Sequence, residues 1–545
     1  MSSGRAVQLS PAAWARRAVA VCMGKAARTG VRRIGLARSA AIAGTVTLAI
    51  DPGALAGLMG ELGRGCVLVT GSTGKGTTCQ LLAQVMRAAG LCPVLNTEGS
   101  IKRSALTTAM VVHAAPSGHM RSEPQPIGLI ETDEGSLAEI IRYVAEPTAM
   151  VCTNLVRDRR DRDVEPADAT ALLERAMRSL PPSTTLILNA DDPRVADLAP
   201  DLPNPRLYFG ISDPALGRVR ADPTSGFPRC PRCDGELSYA CVYYAHLGHW
   251  ACGACGLSRP QPDVSVTKID LVGPSSIRLE VATATADRVF EIPLPGMYHV
   301  YNAVAAIAAA TQSGLPDWSL GAIEQVAGSA GRMECIPVSG HEVYLARATN
   351  AIGYTEILRA VLGDGEPRRM LLGLDDMPGK QPDTSWIWDV DFGSLAGLVP
   401  GPVVSGNRAA DLAVRLKYAG WLGDGQDQGQ SAGATIEPDP VRAFQAAIAA
   451  TPSGQPLWIV STSTGLWQIR RWLRQHGYVH DHGREQRSHT RSRRAPAAAV
   501  TAPARQGGRP GPKPSAPPLS GRRPKGPSRR GRHRRRQRGQ SGAAR

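Results

Sequence analysis

A glycine-rich turn between an apolar strand and a helical pattern constrains this chain more than any other feature. Residues 67–78 read VLVTGSTGKGTT, where the turn is Gly71–Lys75 and the helical pattern begins near Thr77. Glycines let backbone N–H groups approach phosphate oxygens, and the N-terminus of the following helix adds favourable partial charge. We expect Lys75 to bridge the terminal phosphates of a nucleotide and Thr77 or Thr78 to ligate Mg²⁺; the alternative is a strand-to-helix turn without ligand.

Apolar runs alternate with helical patterns around this turn, which predicts an α/β fold with a mainly parallel sheet. Predicted strands are Cys66–Thr70, Ile127–Glu131, Ala149–Thr153, Thr185–Asn189, Ser265–Leu271, Ser276–Val281, Arg288–Ile292, Glu342–Ala346, Met370–Leu374, Val403–Ser405 and Leu457–Ser461. An Ala-rich helix should begin near Val300 and end before Gly314. We predict a basic N-terminal segment (1–50), a central nucleotide-binding domain (51–330), a C-terminal α/β domain (331–480) and a disordered tail (484–545).

The positive charge of the chain is concentrated in that tail. The formal net charge is +16, but residues 484–545 hold 19 Lys or Arg against one acid, Glu485, which leaves residues 1–483 at −2. Global basicity therefore does not indicate what the folded part binds. The tail is rich in Pro, Gly, Ser and Arg and nearly lacks large apolar residues, which predicts disorder.

Neither a membrane span nor a secretory signal is expected. No window approaches the ~18 uninterrupted apolar residues of a span, and the basic N-terminus lacks a compact apolar core before a cleavage site. Eleven cysteines, an odd number, in 545 residues do not resemble a secreted disulfide framework. We expect a cytoplasmic protein.

Two CxxC pairs, separated by 18 residues, form the second informative pattern. Cys230 and Cys233 make the first pair, and Cys252 and Cys255 make the second, inside a Cys-rich insert at 228–262. Each pair places two thiolates on a tight turn, and two pairs complete the tetrahedron of a zinc ribbon. We predict a closed, structural Zn²⁺ site; disulfides or redox thiols are the alternative. Three residues between the pairs could compete as ligands: Cys241, His246 and His249.

The turn departs from the common loop G-x-x-x-x-G-K-[ST], because Val69 stands at the first glycine and Gly76 separates Lys75 from Thr77. The form G-[ST]-x-G-K resembles the ATP loop of the Mur ligase and folylpolyglutamate synthetase superfamily. Further segments resemble motifs of that superfamily in the same order: Glu131–Glu134 (ETDE), Thr153–Asn154 with Asp158 and Asp161, Leu188–Pro193 (LNADDP), Gly296–Ala306 (GMYHVYNAVAA) and Gly331–Glu334 (GRME).

The resemblance implies a ligase that binds ATP and Mg²⁺ and phosphorylates a carboxylate. The implied ATP-binding residues are Gly71, Ser72, Thr73, Gly74, Lys75, Gly76, Thr77, Thr78, Asn189, Asp191, Asn302 and Arg332. It also implies Mg²⁺ ligation by Thr77 and Glu131, with Lys75 and Glu131 as catalytic residues. The chemistry fits, because charge on a transferring phosphoryl group has to be neutralised by a fixed set of cations.

Four features resemble the MurT family, the Mur-ligase-like subunits of lipid II isoglutaminyl synthase. They are the short region before Gly71, the Cys-rich insert, Asp383–Phe392 (DTSWIWDVDF), and Ser405–Arg408 followed by Arg415–Gly420. That family amidates the α-carboxylate of D-glutamate in the lipid II stem peptide to D-isoglutamine, with ammonia from a separate glutaminase subunit (GatD). The resemblance therefore implies a Mur-ligase-type ATP-binding domain with a zinc-ribbon insertion, a heterodimer, and peptidoglycan synthesis at the inner face of the membrane.

By the same resemblance, Asp383 completes the Cys–His pair of the glutaminase partner, and Asp389 is the second choice. A carboxylate in that place orients and stabilises an imidazolium. The alternative for Asp383 is capping of a helix N-terminus. We expect Trp386 and Trp388 to be core residues.

The chain also departs from the ordinary Mur ligases. Arg159 stands where they have His, and TNAIG at Thr349–Gly353 replaces their K-N-P-A-G. Two alternatives stay open: an amino-acid ligase of the Mur or folylpolyglutamate type, favoured by Gly76, and a nucleic-acid-binding ATPase. The ATPase would require basic residues interleaved with aromatics, and the tail has no aromatic residue beyond Tyr478, so no specific nucleic acid is expected. The tail is either simply solvated or attached to anionic lipid.

Overall fold

A computed structural model of the chain describes residues 10–33, 41–96, 103–144, 147–156, 166–218, 229–272, 274–326, 332–376, 383–422 and 433–479. The tail that we predict to be disordered and the motif positions Asp158, Arg159 and Asp161 lie outside these ranges.

The described residues form 13 α-helices and 17 strands, besides short 3₁₀ helices. The helices are α1 (Pro11–Arg33), α2 (Ile42–Ile50), α3 (Ala54–Met59), α4 (Lys75–Ala88), α5 (Arg103–His113), α6 (Leu137–Ile141), α7 (Pro166–Met177), α8 (Pro193–Ala196), α9 (Met297–Gln312), α10 (Ala351–Leu362), α11 (Ala409–Tyr418), α12 (Pro440–Ala450) and α13 (Ser463–Gln475). The strands are β1 (Cys66–Thr70), β2 (Cys92–Leu95), β3 (Pro126–Glu131), β4 (Pro147–Cys152), β5 (Thr185–Asn189), β6 (Arg206–Ile211), β7 (Leu237–Tyr244), β8 (Leu247–Cys252), β9 (Val264–Val272), β10 (Ser276–Ala282), β11 (Asp287–Ile292), β12 (Arg332–Val338), β13 (His341–Arg347), β14 (Arg369–Gly373), β15 (Val403–Ser405), β16 (Thr435–Glu437) and β17 (Leu457–Ser461).

Nine strands form the first sheet, in the order β11-β10-β9-β6-β5-β4-β1-β3-β2. The pairings from β9 through β2 are parallel, while β9, β10 and β11 pair antiparallel. Strands β1 and β5 are buried along their whole length, since helices cover both faces of the sheet. The predicted α/β fold with a mainly parallel sheet is confirmed.

Alternate residues of β1 face two different cores, as the two-residue period of a strand requires. Val67 and Val69 pack with α4 and α9, whereas Cys66 and Leu68 pack on the opposite face with α5, α6 and α7. Helix α9 is buried from Val300 to Ala310 because its run of alanines allows close approach to the sheet. It begins three residues before the predicted start near Val300.

Three helices precede β1, and two of them, α1 and α2, lie in the region 1–50 that the sequence marks only as a basic segment. Helix α1 packs on α2, and α2 packs on α5. Gly44 permits the second contact, because a Cβ there would lie 1.8 Å from the carbonyl oxygen of Ser104. Arg17 of α1 is nearly buried and donates to Glu61 at 2.8 Å, so at least one of the basic residues is part of the core packing.

The second sheet has six strands in the order β12-β13-β17-β14-β15-β16, parallel except for the β12–β13 pair. Helices α10 to α13 cover its two faces and enclose separate apolar clusters. The predicted strands Val403–Ser405 and Leu457–Ser461 are confirmed to the residue. No helix in the described part of the chain has both the length and the apolar character needed to cross a bilayer.

Candidate active site

The glycine-rich turn joins β1 directly to α4, which begins at Lys75. Gly71 and Gly74 have φ values of +121° and +83°, a region that residues with a Cβ rarely adopt. A Cβ on Gly71 would lie 2.4 Å from Thr153 Oγ1, and one on Gly74 would lie 2.1 Å from Asn302 Oδ1. Both positions therefore require glycine, for their conformation and for the close approach of neighbouring side chains.

The end of β4 holds the turn in place. Thr153 Oγ1 donates to the carbonyl oxygen of Thr73 at 2.7 Å. Asn154 Oδ1 accepts from Thr73 N at 3.1 Å, and the Asn154 carbonyl accepts from Ser72 N at 2.8 Å. The Thr-Asn pair singled out in the sequence thus fixes the shape of the turn.

The ammonium group of Lys75 lies across the mouth of the turn. Its Nζ donates to the carbonyl oxygens of Gly71 and, at 3.2 Å, of Ser72. No carboxylate of the described residues forms a salt bridge with it. The positive charge thus lies at the turn and beside the N-terminus of α4, a position suited to an anion.

A cavity of about 250 Å³ opens at the turn, and both sheets contribute to its walls. Its lining comprises residues 72–77, Glu131, Asn154, Tyr244, Tyr298, His299, Tyr301, Asn302, Met333, Ala346, Arg347, Thr349, Asn350, Gly353 and Ile357. Of the departures noted in the sequence, Thr349 forms part of this wall. Asn350 caps α10, where its side chain accepts from Gly353 N at 2.8 Å.

The predicted magnesium ligands Thr77 and Glu131 both line the cavity. The amide of Asn96 fixes the backbone of Glu131 through two hydrogen bonds, at 2.7 and 2.9 Å. Thr78 is fully buried, and among the described residues its hydroxyl has no hydrogen-bond partner. Of the two threonines proposed from the sequence, Thr77 is the one that faces the cavity.

Asn302, which its motif predicts to lie near the nucleotide, lies against the turn, and its Nδ2 is 3.3 Å from Nδ1 of His299. The imidazole of His299 in turn lies beside Tyr298, with 4.2 Å between the ring centroids. Arg332 opens β12, where it pairs with Ala346, and its side chain lies outside the described part of the structure.

Asn189 and Asp191 are fully buried and do not line the cavity. Asn189 donates to the Thr153 carbonyl at 2.8 Å. Asp191 accepts from Arg259 at 2.6 Å and from the hydroxyl of Tyr301 at 2.8 Å, while burial raises the pKa of its carboxyl. Direct contact with a nucleotide, as the sequence predicts for both residues, would require these bonds to be exchanged. In this structure Asn189 holds the backbone of Thr153 and Asp191 holds the hydroxyl of Tyr301, both on the side away from the cavity.

Asp383 is half-buried at the start of a 3₁₀ helix, Ser385–Asp389, and does not line the cavity. Its Oδ1 accepts from Ser385 N at 3.0 Å, but the N-cap of this helix is Thr384, so Asp383 is not the capping residue considered as its alternative role. Trp386 is buried, as expected. The prediction for Trp388 is wrong, since that side chain is 50% exposed.

The four predicted zinc ligands converge. The sulfur atoms of Cys230, Cys233, Cys252 and Cys255 all lie within 4.8 Å of one another, and two of the pairs are 3.5 Å apart. Four sulfurs at about 2.3 Å from a tetrahedral Zn²⁺ lie about 3.8 Å apart, so the donor set fits this ion. Backbone N–H groups of Cys255 and Ala254 lower the pKa of Cys252 to about 6, which favours a thiolate ligand.

The three residues considered as competing ligands are used elsewhere. Cys241 is buried with the core of the first sheet. His246 Nε2 lies 3.3 Å from Asp192 Oδ1, and His249 Nε2 lies 2.8 Å from the carbonyl oxygen of Ile211.

Sequence reasoning missed several cavity residues. Tyr298, His299 and Tyr301 stand inside the Gly296–Ala306 motif and could have been found from that position alone. Arg347, an exposed cation at the end of β13, and Tyr244 belong to no motif. Tyr244 is 171 residues from Thr73, whose Oγ1 lies 3.5 Å from its hydroxyl, so only the fold brings them together.

Two family models match the chain: the Mur ligase middle domain over residues 69–226, and the MurT ligase C-terminal domain over residues 348–466. The subunit MurT of lipid II isoglutaminyl synthase (glutamine-hydrolyzing) from Streptococcus pneumoniae is 28% identical over 390 residues, covering 71% of this chain and 83% of that protein. The subunit of the same name from Staphylococcus aureus strain N315 is 28% identical over 413 residues, covering 74% and 88%.

Solved structures agree on the fold. A pseudomurein peptide ligase type C from Methanothermus fervidus superposes with a TM-score of 0.56 at 20% identity, covering 76% of this chain and 79% of that one. MurF from Acinetobacter baumannii gives 0.54 at 16% identity, covering 79% and 80%. The glycine-rich turn thus opens on a cavity lined from both α/β sheets, and the chain carries a Mur ligase middle domain followed by a MurT ligase C-terminal domain.

Proposed function

We propose that this protein is an ATP-dependent carbon–nitrogen ligase that amidates the α-carboxylate of D-glutamate in the lipid II stem peptide, with ammonia from a separate glutaminase subunit. One observation carries the proposal. Thr349 and Asn350, which complete the cavity at the ATP-type turn, lie in the stretch that matches the MurT C-terminal domain. The names of the relatives from Streptococcus and Staphylococcus supply the substrate.

In this proposal the backbone N–H groups of residues 74–76, at the N-terminus of α4, and the ammonium of Lys75 bind the phosphates of ATP. Thr77 and Glu131 would hold Mg²⁺, which shields the negative charge of the phosphates. Arg347 extends into the same cavity from the second sheet, and Arg332 is the further cation that the family motif assigns. Converging cations favour attack of the substrate carboxylate on the terminal phosphorus, because they stabilise charge on the equatorial oxygens.

The reaction then proceeds in two steps. A carboxylate oxygen bonds to phosphorus as ADP leaves, which gives an acyl-phosphate. Ammonia attacks the acyl carbon and loses a proton, and inorganic phosphate departs from the tetrahedral intermediate. Asn189 and Asp191 act as supports of Thr153 and Tyr301, since both are buried behind the cavity.

Asp383 is proposed to contact the glutaminase partner rather than the phosphates, because it does not line the ATP cavity. The 3₁₀ helix that follows it, Ser385–Asp389, carries an exposed aromatic side chain suited to a partner. Trp388 and Tyr418 are 50% and 77% exposed, and their rings lie 6.0 Å apart. Exposed aromatic side chains of this kind are enriched at protein interfaces. Asp389 is the alternative contact.

The four clustered cysteines are proposed to bind one structural Zn²⁺. All four coordination positions are filled by protein sulfur, so the ion has no open position for substrate. Its contribution is to fix the two cysteine-bearing turns relative to each other.

We place the enzyme in the cytoplasm at the inner face of the membrane, where its lipid-linked substrate is exposed. The 19 basic residues of 484–545 suit that surface. Each Lys or Arg near an anionic leaflet contributes about 1 kcal/mol of attraction.

The test is amidation of lipid II by the purified chain with ATP and ammonium chloride, followed by mass spectrometry of the stem peptide. We expect an amide at the D-glutamyl α-carboxylate and its absence in Lys75→Ala. Arg278→Ala is the matched control, because this exposed cation on β10 lies outside the cavity. Gly76, which follows the lysine, favours a second candidate, an amino-acid ligase. Ligation of an added amino acid without amide formation from ammonia would establish that alternative instead.

A further inference from the structure

The hairpin β7–β8, which leads into the second cysteine pair, has a buried tip. Tyr244, Ala245, His246 and Leu247 are exposed by 3%, 2%, 1% and 0%. Connections between strands normally lie on the protein surface. Ala245 takes a left-handed φ of +51° to make the turn. The tip of the hairpin is therefore packed inside the protein, while the half of β7 nearer the cysteines is partly exposed.

The buried tip braces segment 190–192, which follows β5. Gly248 N and Trp250 Nε1 donate to backbone carbonyls of this segment, each at 3.0 Å. His246, fully buried, faces the buried carboxylate of Asp192. The same carboxylate accepts from Leu155 N at 2.7 Å, immediately after the Thr-Asn pair that holds the phosphate turn. The hairpin is thus linked to the phosphate turn through the Asp192 carboxylate and the segment Thr153–Leu155.

The tip also reaches the cavity directly. Tyr244 lines it, with its hydroxyl 3.5 Å from Thr73 Oγ1 of the phosphate turn. Its ring lies 6.5 and 6.4 Å from the rings of Tyr298 and Tyr301, which line the same wall. Tyr244 is the only part of the Cys-rich insert that lines this cavity among the described residues.

The cysteine cluster lies at the other end of the hairpin. Cys252 ends β8, and β7 runs eight residues from Leu237 to Tyr244. At the rise of a β-strand this separates the cysteines from the tip by about 20 Å. We propose that the β7–β8 hairpin is a positioning element of the nucleotide site. The metal-bound cysteine turns fix the base of the hairpin. Its tip holds Tyr244 against the phosphate turn and braces segment 190–192. The inference rests on the nucleotide-binding part of the proposed function.

The experiment measures binding of ATP and ADP to the full chain by calorimetry, without lipid II or ammonia. Tyr244→Phe should weaken ATP binding about fivefold, the effect of one lost hydrogen bond, with zinc content and melting temperature unchanged. Tyr239→Phe is the matched control on the same hairpin. It does not line the cavity, and its hydroxyl has no hydrogen-bond partner among the described residues. Its nucleotide affinity should equal that of the wild type.

Removing zinc from the folded protein with a chelator tests the other end of the hairpin. ATP affinity should fall and return when zinc is added back, while circular dichroism shows that the sheets persist. If Tyr244→Phe binds ATP as tightly as the wild type, the inference is overturned, whether or not the metal-free protein stays folded. If the wild type itself binds no nucleotide, the proposed function fails as well, which distinguishes the two results.

Discussion

Replacement of Gly74 by alanine tests the geometry of the phosphate turn. Alanine at φ +83° costs about 1–2 kcal/mol relative to glycine. Its Cβ would also lie 2.1 Å from Asn302 Oδ1. Since carbon and oxygen normally approach to about 3.3 Å, one of the two groups has to move by roughly 1 Å. A displacement of that size at a reacting centre lowers a rate by about 100-fold.

Gly90→Ala provides the control, because Gly90 stands just beyond the other end of α4. It has φ +81°, and nothing lies within 4 Å of a Cβ there. Both variants carry the cost of a left-handed φ, and Gly74→Ala also carries that of the contact with Asn302, so its melting temperature should fall at least as far. Only Gly74→Ala should lose about 100-fold in kcat/KM for ATP, measured by ADP release with lipid II and ammonia. Equal kinetic losses in the two variants, or wild-type kinetics in Gly74→Ala, would refute the assigned role of the turn.

Three further variants separate the other parts of the proposal. Asp383→Asn keeps an oxygen acceptor for Ser385 N and should abolish amidation from glutamine but not from ammonia; equal loss of both would place Asp383 in the ligase chemistry. Arg347→Ala should raise KM for ATP about tenfold through loss of a charge-assisted contact, and an unchanged KM would remove it from the nucleotide site. Cys252→Ser should reduce zinc from one ion per chain and lower the melting temperature, with exposed Cys22→Ser as control; full zinc content would contradict the four-cysteine site.

The sequence predicted secondary structure best for strands that are buried along their whole length. Strands β1 and β5 are buried on both faces, so their apolar runs end where the strands end, and both predictions are confirmed to the residue. Strands β2 and β16 were missed, since four residues containing Pro93 and a three-residue edge strand carry little pattern. Helix α1 was missed because basic residues outnumber large apolar ones along it, and tertiary contacts such as Arg17 with Glu61 complete its packing.

In the candidate site, too, local features were predicted from the sequence and long-range contacts were not. Short, local motifs singled out the glycine-rich turn, Asn302 and the four cysteines, and the structure brings Asn302 to the turn and the four sulfur atoms together. The motifs did not indicate that Asp191 would be enclosed by Arg259, 68 residues away, or that Tyr244 would reach Thr73. Those contacts depend on how an inserted hairpin packs against the sheet, and no periodicity in the sequence encodes that packing.

The most direct test of the central claim uses lipid II labelled with oxygen-18 in the D-glutamyl α-carboxylate. The purified protein is supplied with this substrate, ATP, Mg²⁺ and ammonium chloride, and the inorganic phosphate is analysed by mass spectrometry. Activation through an acyl-phosphate predicts one labelled oxygen in each phosphate released, in step with amide formation. Amide formation with unlabelled phosphate, or ATP hydrolysis without an amide, would contradict the account.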